Sequence, residues 1–194
     1  DSSGKIIDHL IAMNDIKTKT IHTVGPSNEK FQQDALRMLR AIRFATVLHF
    51  KLSQEVKEAI LSNRFLLKKL SYERKRKELD KIFTSKNIRY GISLLLELGL
   101  EEYLDLPNLP KLRYYGDLCG IWAILDTKYP FTKNESQIIH LVQQASKENL
   151  KDPRVLYRYD LYVAMIAADI QGISKKEITK RYNHLPIQSR KEIA

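Results

Sequence analysis

The segment Phe31-Gln32-Gln33-Asp34-Ala35-Leu36-Arg37-Met38-Leu39-Arg40-Ala41-Ile42-Arg43-Phe44 holds the residue types best suited to chemistry. Read as one helix from about Phe31 to His49, it places Phe31, Ala35, Leu39, Ile42 and Thr46 on an apolar stripe, with Leu36 and Met38 beside it. Asp34, Arg37, Ala41 and Phe44 then share the opposite face, and Arg40 borders it. Side chains three apart on a helix are neighbours. A fixed carboxylate acceptor beside a fixed guanidinium fork matches the edge of a nucleobase: the acceptor takes the amino group and the fork gives to ring acceptors. The same spacing also describes an ordinary exposed ion pair, worth about 0.3 kcal/mol. Spacing alone favours the ion pair.

Other groupings carry weaker signals. Arg74-Lys75-Arg76-Lys77, with Lys68 and Lys69 nearby, reads either as a row of phosphate contacts or as a solvated helix face. Tyr114-Tyr115 and Tyr157-Arg158-Tyr159 suit stacking on unpaired bases, or plain helix packing. Glu101, Glu102 and Asp105 cluster in a Leu/Pro connector, where capping or solvation is the expected role. The five histidines have no partner at ligand spacing, and Cys119 is the single cysteine, so neither a metal site nor a disulfide framework is expected. Gly-rich phosphate loops and Ser/His/Asp nucleophile signatures are missing, and no Asp-x-Asp occurs.

The elements that must position these residues read as helices. Seven Gly and six Pro in 194 residues are too few for a turn-rich β sandwich. Residues 5–25 read as extended, because Lys17 to Val24 is rich in β-branched residues and stops at Gly25-Pro26. Ser27, Ser53 and Ser71 are expected to cap helices, and Gly99 to end the helix over Ile88 to Leu98. Further helices are expected over about 115–127, 134–149, 153–170 and 174–183, with 153–170 apolar on more than one face and hence central. The implied organisation is an extended strap over 1–25, a helical region over 26–106 and a second helical region over 107–194.

Charge is uneven along this order. Residues 1–100 hold 19 basic and 11 acidic side chains, and residues 101–194 hold 14 and 12. A basic first half suggests a polyanion-facing end. No apolar run reaches the roughly 18 residues of a membrane span. No secretory pattern opens the chain, so a cytoplasmic setting is expected, and the missing initial Met suggests a piece of a longer protein.

From Lys30-Phe31 to Phe44 the sequence resembles, without a gap, the base-selecting motif of the bacterial class II tRNA nucleotidyltransferases, the CCA-adding enzymes, and of the similar poly(A) polymerases. Ile7-Asp8, Asp15-Ile16 and Ile21-His22-Thr23-Val24-Gly25 resemble the family's lead-in to that motif. Leu70-Ser71-Tyr72-Glu73-Arg74, with Glu78-Leu79 and Lys81-Ile82, resembles its neck helix, and Leu185-Pro186-Ile187 its body-to-tail junction.

The resemblance implies an all-α, multi-helical neck and body with a short extended N-terminal strap. It implies that Asp34 and Arg37 pair with the base of incoming CTP or ATP, that Arg40 supports the triphosphate or RNA, and that Glu73, Arg74 and Glu78 buttress the neck helix. The tRNA acceptor end is the implied partner. Gln33 stands where the family has Glu, keeping the hydrogen-bonding shape without the charge; His22 replaces an Arg, and Ile11-Ala12 a Gly-containing turn. The family's catalytic head carries an Asp-x-Asp pair that holds two Mg²⁺ for phosphoryl transfer. No such pair occurs here, so no catalytic residue is expected in this chain, Mg²⁺ belongs to the head, and the chain alone is expected to add no nucleotide. The alternatives are a poly(A) polymerase portion and a stand-alone helical RNA-binding module.

Overall fold

The computed structural model describes residues 12–183, so the expectations for residues 1–11, including Ile7-Asp8, and for Leu185-Pro186-Ile187 lie outside the described residues. The described residues are mostly helical, with one two-stranded sheet. The chain divides into two compact units, which meet in sequence at Leu109 and Pro110.

In the first unit, α1 (Ala12–Thr18) is helical where the sequence predicts an extended chain. Ala, Met and Lys favour helix, and Asp15 in the first turn and Lys17 in the last complement its dipole. Lys19, at φ +52, ends it. The extended chain is confined to β1 (Thr20–Ile21), which pairs in parallel with β2 (Lys51–Leu52).

After Gly25-Pro26 comes α2 (Ser27–Gln33). Ser27 does not cap it: Pro26 is the N-cap residue, and the Ser27 N–H donates to Glu55 Oε1 at 2.9 Å. The remaining helices of this unit are α3 (Leu36–Leu48), α4 (Gln54–Asn63), α5 (Tyr72–Phe83) and α6 (Ile88–Glu97). Ser53 and Ser71 cap α4 and α5 through Val56 N and Arg74 N. Gly99, at φ +59, follows the end of α6 in the left-handed conformation that closes helices.

Helix α3 packs on α5 and α6, and α2 on α4. Phe31, Ala35, Leu39, Ile42 and Thr46 are buried, together with Met38 and Ala41. The crossing of α3 and α6 depends on Gly91. A Cβ there would lie 2.6 Å from Ile82 Cγ2 and 2.7 Å from Thr46 Oγ1, closer than atoms pack.

The second unit contains α7 (Leu118–Leu125), α8 (Lys133–Ala145), α9 (Pro153–Leu156), α10 (Leu161–Ile170) and α11 (Lys175–Asn183). The helix expected over 153–170 is interrupted, because Asp160 caps α10 by accepting from Val163 N at 2.7 Å. Helix α10 packs against α7, α8 and α11, which explains why it is apolar around most of its girth. Asp117 caps α7, and Thr132 with Glu135 forms a full capping box on α8.

Candidate functional site

The site builds from a break in a helix. Asp34 is not helical: its backbone is extended at φ −149 and ψ 104, between the end of α2 and the start of α3. Its peptide N–H still closes α2 onto Lys30 O at 3.2 Å. Its carboxylate Oδ1 accepts from Leu36 N at 3.1 Å, and its carbonyl from Arg37 N at 3.1 Å. Ala35, the formal N-cap of α3, offers no side-chain acceptor, so Asp34 supplies one. The single continuous helix expected from Phe31 to His49 is therefore two helices. The expected face also changes: Asp34 leaves it, and Ala41 is buried at 7% exposure.

Helix α5 brings in the next contact. Ser71 fixes its start, and Arg74 in its first turn donates through Nη2 to both Asp34 oxygens, at 3.1 and 3.3 Å. The carboxylate is thus held by one backbone N–H and one guanidinium, with a third of its side-chain surface still exposed. Arg37, on the first turn of α3, and Arg40, one turn on, are exposed with no polar partner among the described residues. Gln33, the last residue of α2, is exposed beside them. A second tie joins the two helices: Arg43 Nη1 lies 3.1 Å from Glu78 Oε2, an ion contact without hydrogen-bond alignment.

This arrangement is an acceptor held by two contacts next to two exposed donors. The Asp34 oxygens retain lone pairs after the two contacts they make, since a carboxylate has about four acceptor positions. Arg37 and Arg40 present forks that match ring acceptors or phosphate oxygens.

The basic run divides. Arg74 faces Asp34, and Arg76 pairs with Asp80 within α5 at 3.3 Å. Lys75 turns inward, at 1% exposure, with Nζ 3.7 Å from Asp105 Oδ2 and 4.6 Å from the Tyr72 ring. Burial pushes the Lys75 ammonium below its ordinary value, against the opposite pull of Asp105. Lys77 alone of the four is exposed without a polar partner among the described residues. So Arg74, Lys75, Arg76 and Lys77 do not form one phosphate-facing row. Period 3.6 puts consecutive residues on different sides of a helix, and the Leu79/Ile82 core claims one of those sides.

Lys68 is paired with Glu102 at 2.8 Å, and Tyr114 and Tyr159 are buried. Among the described residues no group of three or more His, Cys, Asp or Glu could hold a metal ion, and no helix is long and apolar enough to cross a membrane. The Asp34–Arg74 and Ser27–Glu55 contacts join residues 40 and 28 positions apart, beyond the reach of any local periodicity.

Comparison with known proteins shows what the whole chain is similar to. Residues 49–112 match a family described as the probable RNA and SrmB-binding site of polymerase A. A CCA-adding enzyme of Streptococcus uberis is 34% identical over 151 residues, 78% of this chain and 36% of that protein. One from Ligilactobacillus salivarius is 30% identical over 225 aligned positions, 100% of this chain and 56% of that protein. Among solved structures, the Bacillus stearothermophilus CCA-adding enzyme in complex with CTP superposes with a TM-score of 0.82 at 25% identity. That match covers 96% of this chain and 56% of the other. The chain thus spans about half the length, or less, of the proteins it matches. In sequence and in fold the chain is like the neck and body region of the CCA-adding enzymes.

Proposed function

We propose that this chain is the nucleotide-selecting and tRNA-binding portion of a tRNA nucleotidyltransferase that adds CMP and AMP to the tRNA 3′ end. Asp34 accepts the exocyclic amino group shared by cytosine and adenine. Arg37 donates to the neighbouring ring acceptor, and Arg40 supports the triphosphate or the RNA. The observation that carries this reading is the carboxylate of Asp34, held by Leu36 N and Arg74 beside the exposed Arg37. The substrates are CTP and ATP, the partner is the tRNA acceptor end, and the setting is the cytoplasm where tRNA is processed.

In the reaction, the tRNA 3′-hydroxyl oxygen bonds to the α-phosphorus, the bond from that phosphorus to the bridging oxygen of the β-phosphate breaks, and pyrophosphate leaves with the electron pair. Two Mg²⁺ ions held by carboxylates would stabilise the charge. Among the described residues no group of three or more His, Cys, Asp or Glu could hold a metal ion, and the part proposed for this chain is to bind and orient the nucleotide.

A second reading, a poly(A) polymerase portion, is favoured by the family description matched over residues 49–112. Titration of the purified chain with CTP and with ATP tests both. The account predicts weak binding of each, reduced about five- to a hundredfold by Asp34→Ala or Arg37→Ala. Binding of ATP alone points to the second reading. Unchanged binding in both variants refutes base selection at this site.

A further inference from the structure

Beyond the break at Asp34, α3 carries a groove set apart from the basic run at Arg74 to Lys77, and its α5 and α6 side falls within the matched residues 49–112. Its walls are the C-terminal half of α3, the end of α5 and the turn into α6, and it encloses about 640 Å³. Phe44 and Val47 form its apolar side, and they remain 43% and 50% exposed. Lys81 and Lys86 line the other side, exposed and without a polar partner among the described residues.

We propose that this groove is a contact site for single-stranded RNA, in which an unpaired base stacks on Phe44 while Lys81 and Lys86 hold the flanking phosphates. The platform is preorganised. The Arg43 guanidinium lies 4.2 Å from the Phe44 ring centroid, and Glu78 Oε2 makes an ion contact with that guanidinium at 3.1 Å. A ring held this way offers a π-face with little ordering cost.

The groove's polar groups face inward. Thr84 Oγ1 donates to Asp80 O at 2.8 Å, Ser85 Oγ accepts from Asn87 N at 3.1 Å, and Asn87 Nδ2 donates to Thr46 O at 3.0 Å. What the groove offers outward is the Phe44 ring, with Val47 and Arg43 beside it, and the exposed ammonium groups of Lys81 and Lys86, a combination that binds single strands by stacking and charge with little sequence preference. The nearby carboxylates do not oppose a polyanion: Glu78 is engaged by Arg43 and Asp80 by Arg76.

Position supports RNA over an acidic peptide. Phe44 lies seven residues after Arg37, two turns and about 10 Å along the same side of α3. A strand whose end reaches Arg37 and that runs along α3 toward its C-terminal end would pass this groove. The inference extends the RNA-binding half of the proposed function and stands even if Asp34 selects no base.

Fluorescence anisotropy with a short fluorescein-labelled single-stranded oligoribonucleotide tests it. Phe44→Ala should weaken binding about five- to a hundredfold, and Phe44→Trp should restore it. Lys81→Ala with Lys86→Ala should flatten the slope of log affinity against log salt by about 1.4, roughly 0.7 for each phosphate no longer neutralised, while Phe44→Ala leaves that slope unchanged. Phe44→Ala should leave CTP affinity unchanged, which separates this site from base selection. Circular dichroism melts check that each variant folds; all three groove positions are exposed. Wild-type RNA affinity in Phe44→Ala overturns the proposal. So does an unchanged salt slope in the lysine pair, or polyglutamate displacing the RNA with no dependence on Phe44.

Discussion

At Asp34 two forces act on one carboxylate. Helix capping draws it to Leu36 N, and Arg74 holds it from the next helix. An exposed pair of this kind adds only about 0–1 kcal/mol to stability. Arg74→Ala should therefore leave the melting temperature nearly unchanged while weakening nucleotide binding severalfold, measured by thermal melt and CTP titration together. Lys75 behaves oppositely. It is buried where an apolar residue would pack, and its partner Asp105 is half exposed. Lys75→Met should be neutral or stabilising by about 1 kcal/mol in a denaturant melt, since the charge no longer has to be desolvated. Glu55 gives the pH dependence. The Ser27 backbone N–H, then its hydroxyl, hold the Glu55 carboxyl below its ordinary value of 4.5. Its contribution is complete above that value and fades as pH falls through the lower folded value. Glu55→Gln should lose stability relative to wild type at neutral pH, and the difference should shrink in melts taken at acidic pH.

Among the elements, helix starts and stops were legible where a local signal exists. Ser53, Ser71 and Gly99 mark ends by side-chain or backbone chemistry confined to three or four residues. The apolar stripe of α3 was legible too, because burial repeats at the helical period. Two breaks were not, at Asp34 and Asp160. In both, the apolar spacing runs straight through an aspartate that caps the following helix instead of continuing the preceding one. Asp160→Ala should remove the α10 cap and cost about 1 kcal/mol in a thermal melt. The α3–α6 crossing was equally hidden, since it rests on contacts between distant positions. Gly91→Ala should cost about 1–3 kcal/mol through overpacking against Ile82 and Thr46, although alanine is the better helix former.

For the whole molecule, charge and chemistry fall in the same place. The basic first half contains the break at Asp34, the α3–α5 groove and most of the residues matched to the family described as a probable RNA and SrmB-binding site, whereas the second half is close to neutral. The motif names Asp34 and Arg37 as the expected acceptor and donor; the contact that holds the Asp34 carboxylate comes from Arg74, 40 positions away. The 194-residue chain, which has no Asp-x-Asp, should extend no tRNA in an incorporation assay with labelled CTP or ATP. The most direct test of the central claim is base discrimination by Asp34→Asn, measured as the ratio of CTP to UTP affinity. An aspartate accepts from the cytosine amino group, and an asparagine can instead donate to the uracil carbonyl. The account predicts a wild-type preference for CTP that falls at least fivefold in the variant, at about 1 kcal/mol or more per base contact. A variant that discriminates as wild type does would contradict it.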